Sequence, residues 1–223
     1  MEKPVIFIHS PKTGGSSITS FFNYSGGKIH KQASFYAHRH PKEFESYLVF
    51  STTRNPWDRV VSCYFYSCEN PMGGLTREEH KNKFPTFESY VVALHENFVS
   101  RGENLSKPPI HSMFNPINTI SDVKMSGNVV ADYICNMHTI EHDFELIKKI
   151  TGRSGKLGHR NASSHRDYRE YYTPRSASMV AEIFAEDIDH FGFCFSDETQ
   201  HAYDKIKNQE KVERLLRAMG CRA

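Results

Sequence analysis

Apolar and polar positions alternate along this chain in blocks that predict short strands and helices in turn. Val5-Ile6-Phe7-Ile8 is an unbroken apolar, partly β-branched run and predicts a buried strand. Pro11 stops it, because proline has no N–H for a ladder. After Ser16 and Ser17 the segment Ile18–Phe22 predicts a short helix, and the polar stretch 23–31 a loop. Pro41 followed by Lys42-Glu43-Phe44-Glu45 predicts a second short helix ending near Tyr47. Residues 47–53 form a second β-rich run. It leads into Asn55-Pro56, an N-cap and first-turn pair, and an apolar stripe of Val60, Val61, Tyr64 and Phe65 at helical spacing.

Further along, the polar stretch 72–84 predicts a loop or lid whose Arg77, Lys81 and Lys83 are candidates for an anionic acceptor. Thr86 caps a helix over 87–98. A polar loop with Pro108-Pro109 and His111 follows. Residues 115–137 predict irregular or paired strands around the turn Ser126-Gly127-Asn128, with a core strand over 129–134. A helix from Thr139 is expected to end at Gly152, with Glu141 near its start. By composition, 156–172 is an exposed loop. Thr173-Pro174 opens a helix running to about Asp189, and 199–219 predicts a charged amphipathic helix. That last helix packs on the domain or pairs with a second copy in a homodimer, and packing on the domain is the commoner arrangement. Strands alternating with helices in this order predict one α/β domain over 1–223, with a central parallel sheet flanked by helices.

Charge changes this picture little. With 28 basic against 26 acidic residues the net charge is +2, which argues against nucleic acid as a partner and makes any anion site local. The 16 Phe and 11 Tyr suit a packed core and a ring- or sugar-binding cleft. The five cysteines, Cys63, Cys68, Cys135, Cys194 and Cys221, show neither zinc spacing nor a disulfide framework, so a cytoplasmic location with reduced thiols is expected. No run approaches membrane-spanning length, and the immediate first strand leaves no room for a signal peptide.

The chemistry concentrates at the first strand end. Pro11-Lys12-Thr13-Gly14-Gly15-Ser16-Ser17 combines a lysine, two glycines and a helix start. Backbone N–H groups in such a turn and the lysine charge converge on an anion. Lys12 precedes the glycines, whereas the usual nucleotide loop puts its lysine after them. Arg54, at the second strand end, offers a planar fork for phosphate, and Ser62, eight residues on, one hydroxyl donor. Pairing of Arg54 with Asp58 is the structural alternative.

PKTGGSS followed by RNPWDRVVS resembles the two nucleotide motifs of the sulfotransferases that use 3′-phosphoadenosine 5′-phosphosulfate (PAPS). The carbohydrate branch, with heparan sulfate 2-O-sulfotransferase and short bacterial relatives, is the most similar. The resemblance implies the phosphate-loop-type sulfotransferase fold and transfer of a sulfuryl group from PAPS to an acceptor hydroxyl, on a saccharide if the branch holds. It implies that Lys12, Thr13, Gly14, Gly15, Ser16 and Ser17 hold the 5′-phosphosulfate, and Arg54 and Ser62 the 3′-phosphate. It implies that a third loop with Asn161, Ser163, Ser164, His165 and Arg166 covers the adenosine end. No metal is required in the family. A histidine between the two motifs serves there as general base; His38 and His40 both fit, with His38 favoured by its spacing to Glu43-Phe44. A nucleotide kinase and a non-catalytic binding module are the alternatives. A kinase would call for a regular phosphate loop and a strand-end Asp for Mg²⁺, and a binding module would have no need of Lys12, Arg54 or the histidines.

Overall fold

The structure is a computed structural model that describes residues 4–23, 30–71, 75–103, 119–158, 165–196 and 204–220. In chain order the elements are β1 (Val5–Ile8), α1 (Gly15–Phe21), α2 (Ala33–Arg39), α3 (Pro41–Ser46), β2 (Leu48–Thr53), α4 (Pro56–Glu69), α5 (Arg77–Lys83), α6 (Phe87–Glu103), α7 (Thr119–Asp122), β3 (Lys124–Met125), β4 (Asn128–Val129), β5 (Tyr133–Asn136), α8 (Ile140–Thr151), a 3₁₀ turn (Tyr168–Tyr171), α9 (Pro174–Ile183), α10 (Ala185–Phe191) and α11 (Gln209–Ala218). They fall into two compact units. The first comprises 1–54, 119–161 and 202–223, and the second 55–118 and 162–201.

The first unit holds a parallel sheet in the order β1-β2-β5, with Val5 opposite Leu48 and Phe50 opposite Tyr133. Every residue of the three strands is buried, as a sheet covered on both faces requires. Side chains alternate across the sheet. Val5, Phe7, Leu48, Phe50, Tyr133 and Cys135 share one face and pack against Ile18 and Phe22, against Phe144, Ile147 and Ile150 of α8, and against Val212 of α11. On the other face the hydroxyls of Thr53 and Thr119 meet at 2.9 Å, beside fully buried Ile120 in α7. The expected α/β architecture with a parallel sheet flanked by helices is therefore present.

Several boundaries differ from expectation, each for a local reason. The core strand is 133–136, not 129–134. Ser126 and Gly127, with φ of 49° and 82°, form a two-residue turn that draws Val129 into a small antiparallel hairpin with Lys124. β5 begins only after Asp132, whose carboxylate accepts from the Val49 N–H and from Lys211 Nζ, both at 2.8 Å. Residues 33–39, for which the sequence pattern predicts no element, form α2. Pro41 keeps His40 out of the helical region, with φ −136° and ψ 58°, so α2 and α3 are separate helices. The C-terminal helix starts at Gln209 rather than 199, and residues 199–203 lie outside the described residues. Before it, Lys205 O accepts from the Ile134 N–H (3.0 Å) and Ile206 bridges Tyr133, so this segment covers the outer edge of β5. α11 packs on the domain core through Val212, Leu215 and Leu216.

The second unit is helical. Asn55 Oδ1 accepts from the N–H groups of Trp57 (3.1 Å) and Asp58 (3.5 Å), with Pro56 at the first position of α4, as read from the sequence. The Trp57 indole donates to Ala177 O at 2.9 Å, and the Tyr172 hydroxyl to Trp57 O at 2.9 Å, which tie α9 and the turn before it to α4. The predicted lid 72–84 is partly helix. Thr76 and Glu79 form a reciprocal capping box that starts α5, while 72–74 lie outside the described residues. The single helix expected to Asp189 is two, because Phe184 leaves the helical region between α9 and α10.

Candidate active site

In the first unit the site is the turn from β1 into α1. Lys12 has φ 63°, a left-handed conformation that costs a side-chain-bearing residue about 1–3 kcal/mol. The surroundings hold it there. The Thr13 side chain is buried; its hydroxyl donates to Ser10 O (2.8 Å) and lies 2.6 Å from Thr52 Oγ1 on β2. The Ser10 hydroxyl donates to buried Asp122 at 2.6 Å. Arg54 Nη1 donates to Lys12 O at 3.2 Å, so the arginine after β2 grips the backbone of the loop after β1. Thr13 thus anchors the loop with its side chain.

The glycines are there for different reasons. Gly14 has φ 84°, and a Cβ would overlap the Met137 thioether. Gly15 has an ordinary backbone, but a Cβ would sit inside the His9 imidazole. That ring is 6% exposed, stacks on Phe7 with centroids 5.4 Å apart, and meets the His30 ring at 4.2 Å. His30 Nδ1 donates to His9 O at 3.0 Å. Ser16 and Ser17, half-buried, form the first turn of α1. Sequence reasoning passed over His9, His30, Asp122 and Met137. The one signal available was that His9 sits between the apolar run and Pro11. Contact with residues 30, 122 and 137 comes from the fold.

His38 is in the last turn of α2 and His40 at the junction with α3, and both are exposed. The histidine that the structure joins to the loop is His30. Glu141 is an exposed first-turn residue of α8, where buried Asp143 organises the strand end by accepting from Asn136 N (2.8 Å), Thr139 Oγ1 (3.0 Å) and Lys205 Nζ (2.6 Å).

In the second unit Ser62 lies on α4, 2% exposed. Burial, with Cys68 alongside, pushes the phenol of Tyr64 up to about 12, so it stays protonated at neutral pH. Of the third-loop candidates, Asn161, Ser163 and Ser164 lie outside the described residues, as does His111. The His165 ring stacks on Phe65 (5.7 Å, 20°), and its Nδ1 donates to Arg166 O at 2.8 Å. Arg166 pairs with Glu170 at 2.9 Å and lies over the Tyr171 ring. Among the described residues no group of three or more His, Cys, Asp or Glu could hold a metal ion, and no helix is long and apolar enough to cross a membrane.

The parallel sheet thus carries a lysine- and glycine-bearing loop after its first strand, clasped by an arginine after the second. The sequence model of the sulfotransferase family matches residues 2–217, so the chain belongs to the sulfotransferase family. No curated protein and no solved structure matches it. Membership makes the chain a transferase enzyme whose sulfuryl donor is PAPS.

Proposed function

We propose that this sulfotransferase moves the sulfuryl group of PAPS to a saccharide hydroxyl by in-line transfer with a histidine as base. The observation that carries the reading is the clasp of Arg54 on the Lys12 carbonyl. It ties both nucleotide motifs to one backbone position at the ends of neighbouring parallel strands. The residues fit a phosphate-bearing donor: Gly14 takes the left-handed turn, Gly15 has no room for a Cβ beside His9, and the Thr13 side chain is tied to Ser10 and Thr52.

In this reading Lys12 and the N–H groups of Thr13 to Ser17 hold the 5′-phosphate and its bridging oxygen. Arg54 and Ser62 hold the 3′-phosphate, and residues Asn161, Ser163, Ser164, His165 and Arg166 close over the adenosine. PAPS supplies, when bound, the sulfuryl group and a bisphosphate leaving group. The acceptor oxygen bonds to sulfur as its proton passes to His38 or His40. The S–O bond to the 5′-phosphate breaks, and its electron pair stays on the phosphate oxygen beside Lys12. Positioning and charge stabilisation carry such transfers, and one loop donor supplies about 3–4 kcal/mol. A saccharide acceptor rests on the resemblance of the two motifs to the carbohydrate branch. A cytoplasmic setting is proposed on the cysteine usage of the sequence, which has no disulfide-framework spacing.

The test is transfer of ³⁵S-labelled sulfate from PAPS to saccharide, phenol and lipid acceptors in parallel. Label on saccharides alone supports the reading. Label only on phenols or lipids removes the saccharide, and the absence of transfer to any acceptor by protein that binds the nucleotide removes the transfer chemistry assigned to these residues.

A further inference from the structure

His30 is outside both nucleotide motifs and outside the H-x-H pair, yet its side chain is bonded to the start of the loop. Its Nδ1 faces the His9 carbonyl at 3.0 Å. A carbonyl only accepts, so Nδ1 carries the proton. The bond falls where β1 ends and the loop begins. The same side chain covers one side of the His9 ring at 4.2 Å, while Phe7 stacks on that ring at 5.4 Å. The caged ring lies directly against Gly15, leaving no space for a Cβ. Residues 9 and 15 are the two ends of the loop, and one imidazole sets the distance between them while His30 holds that imidazole and its backbone.

We propose that His30 is a positioning residue for the phosphate loop: by fixing His9 through its Nδ1–H and ring contact, it holds the Pro11–Ser16 backbone in the shape that receives the 5′-phosphate. This rests on the donor site described above. The effect falls first on the 5′ end of the nucleotide, the end the Pro11–Ser16 loop receives, and reaches Arg54 at second hand through its bond to the Lys12 carbonyl. A residue that only filled space would be replaceable by an aliphatic side chain. A positioning donor is replaceable only by a side chain that puts an N–H where Nδ1 stands, and Asn does so while Gln places its amide one carbon too far.

The experiment is calorimetric titration of the full chain with adenosine 3′,5′-bisphosphate and with adenosine 3′-monophosphate. His30→Leu should weaken the bisphosphate by about fivefold to tenfold, the worth of one hydrogen bond, and the 3′-monophosphate by clearly less. His30→Asn, which keeps the donor but lacks the ring, should recover most of the bisphosphate affinity that His30→Leu loses. The proposal is overturned if His30→Leu binds the bisphosphate normally, if it loses both ligands equally, or if His30→Asn is as weak as His30→Leu. Should His30→Leu fail to fold, His30→Asn against His30→Gln decides by the same criterion. Folded wild type that binds neither ligand would remove the donor site itself and this proposal with it. Normal wild-type binding with no effect at His30 would remove only the proposal.

Discussion

Replacing Gly15 by alanine sets two effects against each other. In a helix interior alanine is favoured over glycine by about 1 kcal/mol, and less at the first helical position, where Gly15 stands. Against this, the new Cβ would lie 2.6 Å from His9 Cε1 and nearer still to Nε2 and Cδ2, well inside the 3.0 Å that real Cβ contacts respect. The ring has nowhere to swing, being 6% exposed and bounded by Phe7 and His30. Forcing an extra methyl into such a site costs about 1–3 kcal/mol. The clash wins, and Gly15→Ala should lose about 1–2 kcal/mol, which for a chain of this size lowers Tm by roughly 2–8 °C. Thermal and urea unfolding would read the loss directly. His9→Ala supplies the control: without the imidazole, Gly15→Ala should become neutral or slightly stabilising. The reasoning is refuted if Gly15→Ala is as stable as wild type, or if its cost is the same with and without His9.

Two further outcomes follow from other sites. One of His38→Ala and His40→Ala should abolish sulfuryl transfer while leaving bisphosphate affinity nearly intact, and full activity in both would take the proton-acceptor role away from this pair. His80, 4% exposed on α5 with its ring 5.1 Å from Phe84, has its pKa lowered first by burial and then by Lys83. The unfolded chain therefore takes up this proton before the folded one, so stability should be intact above about pH 6.5 and fall as the pH drops toward the lowered value. Urea midpoints against pH should show that fall flattened in His80→Phe, and an unchanged slope would contradict the assignment.

The parts of the fold legible in the sequence are those fixed by local chemistry. The apolar run at Val5–Ile8, the Asn55-Pro56 start of α4, the Thr173-Pro174 start of α9 and the left-handed Gly152 at the end of α8 depend on a few adjacent residues. The Thr76–Glu79 capping box was equally local and was outweighed by the polar composition around it. The paired strands around Ser126-Gly127 were legible too, but Val129, as apolar as a core residue, was assigned to the core strand instead of that hairpin, which displaced β5. At the candidate site the motif residues could be read in advance, since lysine and glycines beside a strand end have a chemical meaning of their own. The residues that hold them in place could not. His30, Asp122 and Met137 reach the loop from 21 to 123 residues away, and nothing in their own neighbourhoods marks them. The buried hydroxyl chain from Thr13 to Thr52 likewise exists only once β1 and β2 are side by side.

The measurement that bears most directly on the account is calorimetric titration of adenosine 3′,5′-bisphosphate into the wild-type chain and into Arg54→Ala. The account predicts micromolar or tighter binding by wild type, weakened by about tenfold to a hundredfold when the charged donor is removed. Well-folded wild type that does not bind the bisphosphate, or an Arg54→Ala variant that binds it as tightly as wild type, would contradict the donor site on which the proposed function stands.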